Sequence, residues 1–321
     1  MDPEVPAAPE APPKQLRRAR RRSGPGLPTI AVFLAPALIL YSLFTLGPLV
    51  AVGSFSVFKW AGAKNIGFAG LDNFATLLRQ GTVAGEIFNG FLHNVYFFVG
   101  TMIIQNSIGL LLAILLNSRV RGKRFFQTSS ALPFLVNPLV VGYVWTLLLD
   151  PLYGPFAGFL KAIGRSDLVH PWLGDPVLVQ PIVILINAWQ WIGFPMLIFS
   201  AALAGIPEEL TSAARVDGAS RFQIFRYVTL PLLAPAFGTI TILTFIGSFN
   251  AFNLQYAVGG VNGAPAGQTD VLGLVFYRLA FGSGSNATGL SSALAVVIFV
   301  FVFGCALVLR RIVNVVEDRL S

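Results

Sequence analysis

Charge and reactive side chains are what this sequence has least of. Asp, Glu, Lys and Arg make up 11% of its 321 residues against 55% hydrophobic, where a soluble domain carries roughly 25% charged residues. That balance excludes a water-soluble domain and points to an all-α membrane protein. There is one cysteine, Cys305, so no intramolecular disulfide and no thiolate metal site can form. Inside an apolar run it reads as an inert packed thiol. The two histidines, His93 and His170, fall in different segments without partners, so no catalytic set and no metal site is expected. Glycine-rich "GSGSNATG" (Gly282 to Gly289) lacks the Gly-Lys-Ser/Thr of a phosphate-binding loop and reads as an external turn. The chain is therefore expected to hold no cofactor of its own.

Basic residues are present, giving a net charge of +8. Six of the 22 cluster in the tail, at Lys14, Arg17, Arg18, Arg20, Arg21 and Arg22, and most others flank apolar runs. Membrane topology explains this better than a nucleic-acid partner, and none is expected. Residues 1–28, rich in Pro, Ala and Arg, cannot build a core and read as a disordered basic tail. A cleaved signal peptide is not expected, because the apolar run that follows is of spanning length.

Six runs have the length of about 20 mostly apolar residues that a bilayer requires: Thr29 to Phe55, Val95 to Leu116, Phe126 to Leu149, Val177 to Leu203, Leu232 to Ala257 and Leu290 to Leu309. None contains Asp, Glu, Lys or Arg. The loop set that includes both termini carries sixteen basic residues and the other set six, which places both termini in the cytoplasm. Proton- and voltage-driven machines carry ionisable groups within the membrane; here only His93, at the edge of the second run, is near it. Any energy used is expected to enter from outside the bilayer.

One polar stretch interrupts this pattern between the fourth and fifth runs, within residues 205–231. Pro207, Glu208 and Glu209 open a helix, the carboxylates opposing the positive end of its dipole. Asp217-Gly218 closes it, and Ser220 with Gln223 has the spacing of a capping box for a second helix carrying Phe222, Phe225, Val228 and Thr229 on one side. Small Ala213 and Ala214 allow close approach of another surface. Physics alone leaves two readings, an amphipathic connector lying on the membrane or a docking element for a cytoplasmic partner.

"IPEELTSAARVDGASRFQIFRYVTLPLLAP" (Ile206 to Pro235) resembles the EAA loop of the membrane subunits of carbohydrate-uptake ABC importers. Ala213-Ala214, Asp217-Gly218-Ala219 and Val228-Thr229-Leu230-Pro231 fit the family pattern, while Ser212 stands where the family has glutamate. "GFAGLDNF", "GLLLAILLNS", "WQWIGFPMLIFSAALAGIP" and "GAPAGQTDVLGLVFYRLAF" are similar to family segments in the same order, the last to an external loop of the larger maltose-permease subunit. The resemblance implies the type I ABC importer fold, a six-helix permease domain over 29–321 with a cytoplasmic coupling helix, in the bacterial inner membrane. Its implied partners are a second homologous permease subunit, two ATPase subunits that use ATP and magnesium, and an extracytoplasmic solute-binding protein. Ser212, Ala213, Ala214, Asp217 and Gly218 are then the ATPase-coupling positions, with Glu208 or Glu209 supplying the charge that Ser212 lacks.

A solute pathway needs amides, hydroxyls and flat aromatic faces near mid-membrane. Asn187, Gln190 and Trp191 fall on one helical face, with Phe194 a turn further. Interhelical hydrogen bonding is the structural alternative. The resemblance adds Ile192, Gly193 and Met196, then Gly247, Ser248 and Ala251, as residues lining a carbohydrate site. Asn250 and Asn253, three apart, are added on physical grounds. The rival readings are a glycerol-phosphate-type importer and a stand-alone channel or secondary carrier.

Overall fold

Proline and glycine set where the apolar runs bend. The computed structural model describes residues 27–79, 81–117, 121–282 and 286–318, and the chain divides into two units, one through Val50 and one from Ala51 onward. The expected tail lies outside the described residues except for Leu27 and Pro28, which already begin a helix; residues 283–285 of the glycine-rich turn also lie outside. Apolar helix α1 (Ala31–Phe55) crosses the division between units. Strands β1 (Phe58–Ala61) and β2 (Lys64–Phe68) form an antiparallel hairpin, followed by α2 (Asp72–Arg79) and the 37-residue α3 (Gly81–Asn117). Next come α4 (Lys123–Leu135), α5 (Pro138–Leu148), the short α6 (Pro155–Ala162), α7 (Val179–Trp191) and α8 (Gly193–Ala204). The remainder is α9 (Glu208–Val216), α10 (Arg221–Leu232), α11 (Ala234–Phe249), α12 (Asn253–Gly259), α13 (Leu272–Phe281) and α14 (Ala287–Asp318).

Among the described residues, α1, α3 and the Ala287–Val315 part of α14 are long and apolar enough to cross a membrane, and up to six spans result if each bent pair counts as one. The pairs α4/α5, α7/α8 and α10/α11 bend by 96°, 49° and 61°. Three expected spans change shape, of which Val177 to Leu203 bends by 49° between Trp191 and Gly193. Phe126 to Leu149 is a right-angled corner rather than a straight helix: Asn137 is extended, its Oδ1 accepts from the Leu139 N–H at 2.9 Å, and Pro138 starts α5. A residue before proline is driven out of the helical region. Leu232 to Ala257 ends as a helix at Phe249, leaving Asn253 in the separate α12. Two π-helical turns, Ser42–Leu46 and Phe225–Thr229, each end two residues before a proline, Pro48 and Pro231. A proline ring clashes with the carbonyl four residues back, and a widened turn moves that carbonyl aside.

Helix α3 organises the core of the second unit. Its Ala113 and Leu116 pack with Met196, Phe199 and Leu203 of α8 and with Ala236 and Ile240 of α11. Toward the other end, Phe97 packs with Val141 of α5, Val183 and Ile184 of α7 and Leu254 of α12. Lipid supplies no hydrophobic drive between helices, so close approach of small residues matters more. At Gly109 a Cβ would lie 2.8 Å from Pro195 Cγ, and at Gly193 it would lie 2.3 Å from the Ser130 carbonyl oxygen.

Polar side chains tie the non-helical parts to this core. Asn73 is 2% exposed; its Nδ2 donates to the carbonyls of Ser56 and Phe58 at 2.8 and 2.9 Å, and its Oδ1 accepts from Asn286 at 2.8 Å. The amide thereby holds the hairpin against the segment leading into α14. Asn73→Leu leaves those groups without their partner, and a loss of about 1–3 kcal/mol is expected, measured as a lower melting temperature of the purified protein. Asn94, fully buried, donates to the Ser248 carbonyl at 2.7 Å and accepts from the Leu272 N–H at 2.9 Å, joining α3, α11 and α13.

Before α7, Asp175 Oδ2 meets His170 Nε2 at 2.9 Å, and its Oδ1 accepts from the Val177 N–H at 2.7 Å. The His170 hydrogen bond first, then the backbone donors, hold its carboxyl below its ordinary value. A depressed carboxylate stabilises the fold above its unfolded pKa of about 3.9 and loses that contribution as pH falls through the lower folded value. Amide exchange over residues 170–178 is expected to accelerate below about pH 4, and a pH-independent rate of local opening would contradict this.

Candidate functional site

Two regions carry most of the sequence-predicted residues, an exposed elbow and a cavity with polar lining residues. In the elbow, Glu208 and Glu209 fill the first turn of α9 and Arg215 the last, complementing the helix dipole at both ends. Pro207 sits one position outside the helix rather than in its first turn. The end forms as the sequence predicts: the amides of Asp217, Gly218 and Ala219 donate to the carbonyls of Ala213, Arg215 and Ala214 at 3.0, 3.1 and 2.9 Å, with Gly218 at φ +82°. The capping box is present, with Ser220 Oγ accepting from the Gln223 N–H at 3.3 Å and Gln223 Oε1 from the Ser220 N–H at 2.7 Å.

No side chain of α9 is buried. Glu208, Glu209, Ser212, Ala213, Asp217 and Gly218 are exposed, while Ala214 is half-covered. One expectation is corrected. Phe222 does not share the covered side of α10, which is formed by Ile224, Phe225, Val228 and Thr229; Phe222 is 73% exposed. Leu210 and Val216 are also exposed, the latter at 88%. The elbow thus presents apolar side chains among charged ones, the character of a contact surface.

The cavity measures about 350 Å³, within the range of small-molecule sites. Asn187, Trp191, Gly247, Ser248, Asn250, Ala251 and Asn253 all line it, as does Phe194. The bend at α7/α8 and the break after Phe249 bring them together. Asn187 Nδ2 donates to Gln105 Oε1 at 3.1 Å. Trp191 stacks with Phe134 at a 6.2 Å centroid separation and stands edge-on to Phe194. No lining residue carries a charge.

The remaining pathway candidates serve packing. Gln190 is fully buried and donates to the Val136 carbonyl at 2.7 Å, bracing the corner between α4 and α5. Gly193 abuts the backbone of Ser130 and Ala131. Met196 is fully buried in the core with Phe199 and Leu233. Ile192 is half-buried at the bend and does not line the cavity. Sequence reasoning missed Thr101, Gln105, Thr244 and Gln255 in the wall. Thr101 and Gln105 stand four apart in a largely apolar run whose other strongly polar residues are Asn106 and Ser107, the signal by which the pair was findable.

An all-α bundle with bent apolar helices, an uncharged polar cavity and a projecting helical elbow defines a polytopic membrane permease. Residues 105–321 match the family model described as the binding-protein-dependent transport system inner membrane component. The chain belongs to that family, the inner-membrane permeases of ABC transporters. It is 31% identical over 276 residues to the probable starch degradation products transport system permease protein AmyD of Thermoanaerobacterium thermosulfurigenes, covering 84% of this chain and 89% of that one. Identity to the multiple sugar-binding transport system permease protein MsmF of Streptococcus mutans is 29% over 293 residues, covering 90% and 93%. The fold matches a chain of a bacterial ABC transporter involved in the import of the acidic polysaccharide alginate, with a TM-score of 0.72 at 21% identity over 89% of this chain and 95% of that chain.

Proposed function

We propose that this chain is one pathway-forming subunit of an ATP-driven importer for a neutral sugar or oligosaccharide. The cavity wall carries the reading: amides, three hydroxyl residues and the Trp191 ring line it without an ionised group. Sugars are bound through hydroxyl hydrogen bonds and aromatic stacking on their C–H faces, whereas a phosphate or carboxylate solute requires a cation or helix-terminus donors. The sugar-uptake relatives support the same class. ATP hydrolysis belongs to a separate ATPase, which receives the elbow at Glu208, Glu209, Ser212, Ala213, Ala214, Asp217 and Gly218. Solute arrives from an extracytoplasmic binding protein, a second permease subunit completes the pathway, and both termini lie in the cytoplasm, a placement supported by the excess of basic residues in their loop set.

Gentle solubilisation of the tagged chain from its native membrane tests the assembly. A second permease chain and an ATPase are expected to travel with it; a homo-oligomer without ATPase refutes the reading. For the cavity, Trp191→Ala combined with Asn187→Ala removes the stacking face and the amide that engages Gln105. A fall in uptake of about 10-fold or more is expected, with binding-protein-stimulated ATP hydrolysis retained. Unchanged uptake kinetics would remove these residues from the solute path.

A further inference from the structure

Two polar atoms in the cavity wall have no partner within the chain. Thr101 Oγ1 and Gln255 Nε2 are enclosed without a hydrogen bond, their residues are 3% and 1% exposed, and both residues line the cavity. They arrive from distant parts of the sequence, Thr101 on α3 and Gln255 on α12. Three other polar atoms of the wall are engaged, Gln105 Oε1 by Asn187, Thr244 Oγ1 by Asn106 and the Ser248 carbonyl by Asn94, while Asn250 and Asn253 line it as exposed residues. Unpaired buried polar side-chain atoms are rare in native proteins, and each calls for a reason. Gln180, Gln190 and Ser200 also carry one, but none of these lines the cavity.

We propose that Thr101 and Gln255 are specificity-determining contacts for the transported solute, a role that rests on the cavity being the sugar pathway. An amide nitrogen donates and never accepts, so Gln255 Nε2 calls for a solute oxygen with a free lone pair. A hydroxyl both donates and accepts, so Thr101 Oγ1 pairs with a solute hydroxyl in either sense. With no cation in the wall, those oxygens belong to neutral hydroxyl, ether or ring groups. Trp191 lines the same space. A site built to hydrogen-bond a hydroxyl rejects an analogue that lacks it far more strongly than a purely apolar pocket can. These two positions therefore govern which sugar passes more than whether transport occurs.

The test uses the whole importer, purified with its native partners and reconstituted in proteoliposomes. An equimolar mixture of neutral mono-, di- and trisaccharides is offered, and uptake of each is read by mass spectrometry. Gln255→Leu, nearly the same size, is expected to lower uptake of the preferred sugar about 10-fold and to change the rank order, in complexes that purify with the same subunits as wild type. Thr101→Ala is expected to do the same, and Thr101→Ser, which keeps the hydroxyl, to restore the wild-type order. The threonine pair is read alongside in case Gln255→Leu fails to assemble. Uniform slowing of every sugar, or an unaltered order in assembled variants, overturns the proposal while leaving the sugar-pathway reading standing. Failure of the wild-type complex to import any of the sugars overturns that reading itself.

Discussion

Gly218→Pro is expected to abolish ATP-driven uptake while leaving the permease inserted and folded. Gly218 sits at φ +82°, and a proline ring fixes φ near −65°, so the elbow cannot keep its path. The Gly218 amide, which donates to the Arg215 carbonyl at 3.1 Å, is lost. Asp217 now precedes a proline and is pushed from φ −73°, ψ 2° toward extended backbone. Together these cost about 3 kcal/mol or more, equivalent to a shift of roughly a hundredfold in a coupling equilibrium. The damage stays local, because Gly218 is exposed and a Cβ there would meet nothing within 4 Å. Gly218→Ala, strained by about 1–2 kcal/mol, should fall between wild type and proline. Proteoliposome uptake and stimulated ATP hydrolysis, with the melting temperature as control, decide the matter. Wild-type uptake by the proline variant would return the elbow to a membrane-surface connector.

Arg278→Ala is expected to be the most destabilising single change outside the apolar core. The guanidinium, 18% exposed, bonds both carboxylate oxygens of Asp270, at 2.9 Å and 2.6 Å, and also Glu86 at 3.0 Å and the Val261 carbonyl at 2.8 Å. Burial by itself would lower its pKa; the hydrogen bonds and charges of Asp270 and Glu86 outweigh this and hold it above the ordinary arginine value. Deleting the arginine strands the Asp270 carboxylate, whose side chain is only 7% exposed. Breaking one side of a buried pair costs about 3–5 kcal/mol. The Asp270 carbonyl also meets His93 Nδ1 at 3.0 Å, and two residues on, Leu272 is held by Asn94. The disturbance therefore reaches α3 and, through Asn94, the carbonyl of cavity residue Ser248. A melting temperature depressed by several degrees and reduced uptake are expected; Arg278→Lys, which lacks the planar fork, should recover only part of either. A wild-type melting curve for Arg278→Ala would show that the network contributes little.

The elbow was legible because local chemistry fixes it. Acids in the first turn, Gly218 at the stop and the Ser220/Gln223 box act over three or four residues and need no distant partner. Its misreadings were small: Pro207 stands just outside the helix, and the exposure of Phe222 depends on which elements pack against α10, which spacing does not encode. The cavity was legible only in part. Asn187 and Trp191 share a helical face and could be chosen together, but Gln190, one residue from Trp191, turns to the Val136 carbonyl instead. Gly193 and Met196 lie beyond a bend whose direction spacing does not encode.

By itself the sequence determined that this is a multi-span membrane protein: apolar runs empty of charge cannot fold in water, and the polar stretch between them carries its own start and stop signals; the permease reading came from the resemblance of its segments to carbohydrate-uptake importer subunits. Only the tertiary structure decided which side chains line the cavity. Helices in lipid are positioned by close small-residue contacts and interhelical hydrogen bonds, such as Gly109 against Pro195 and Asn94 between α11 and α13. Those contacts join residues far apart in the chain. Thr101 and Gln255 entered the cavity wall through them.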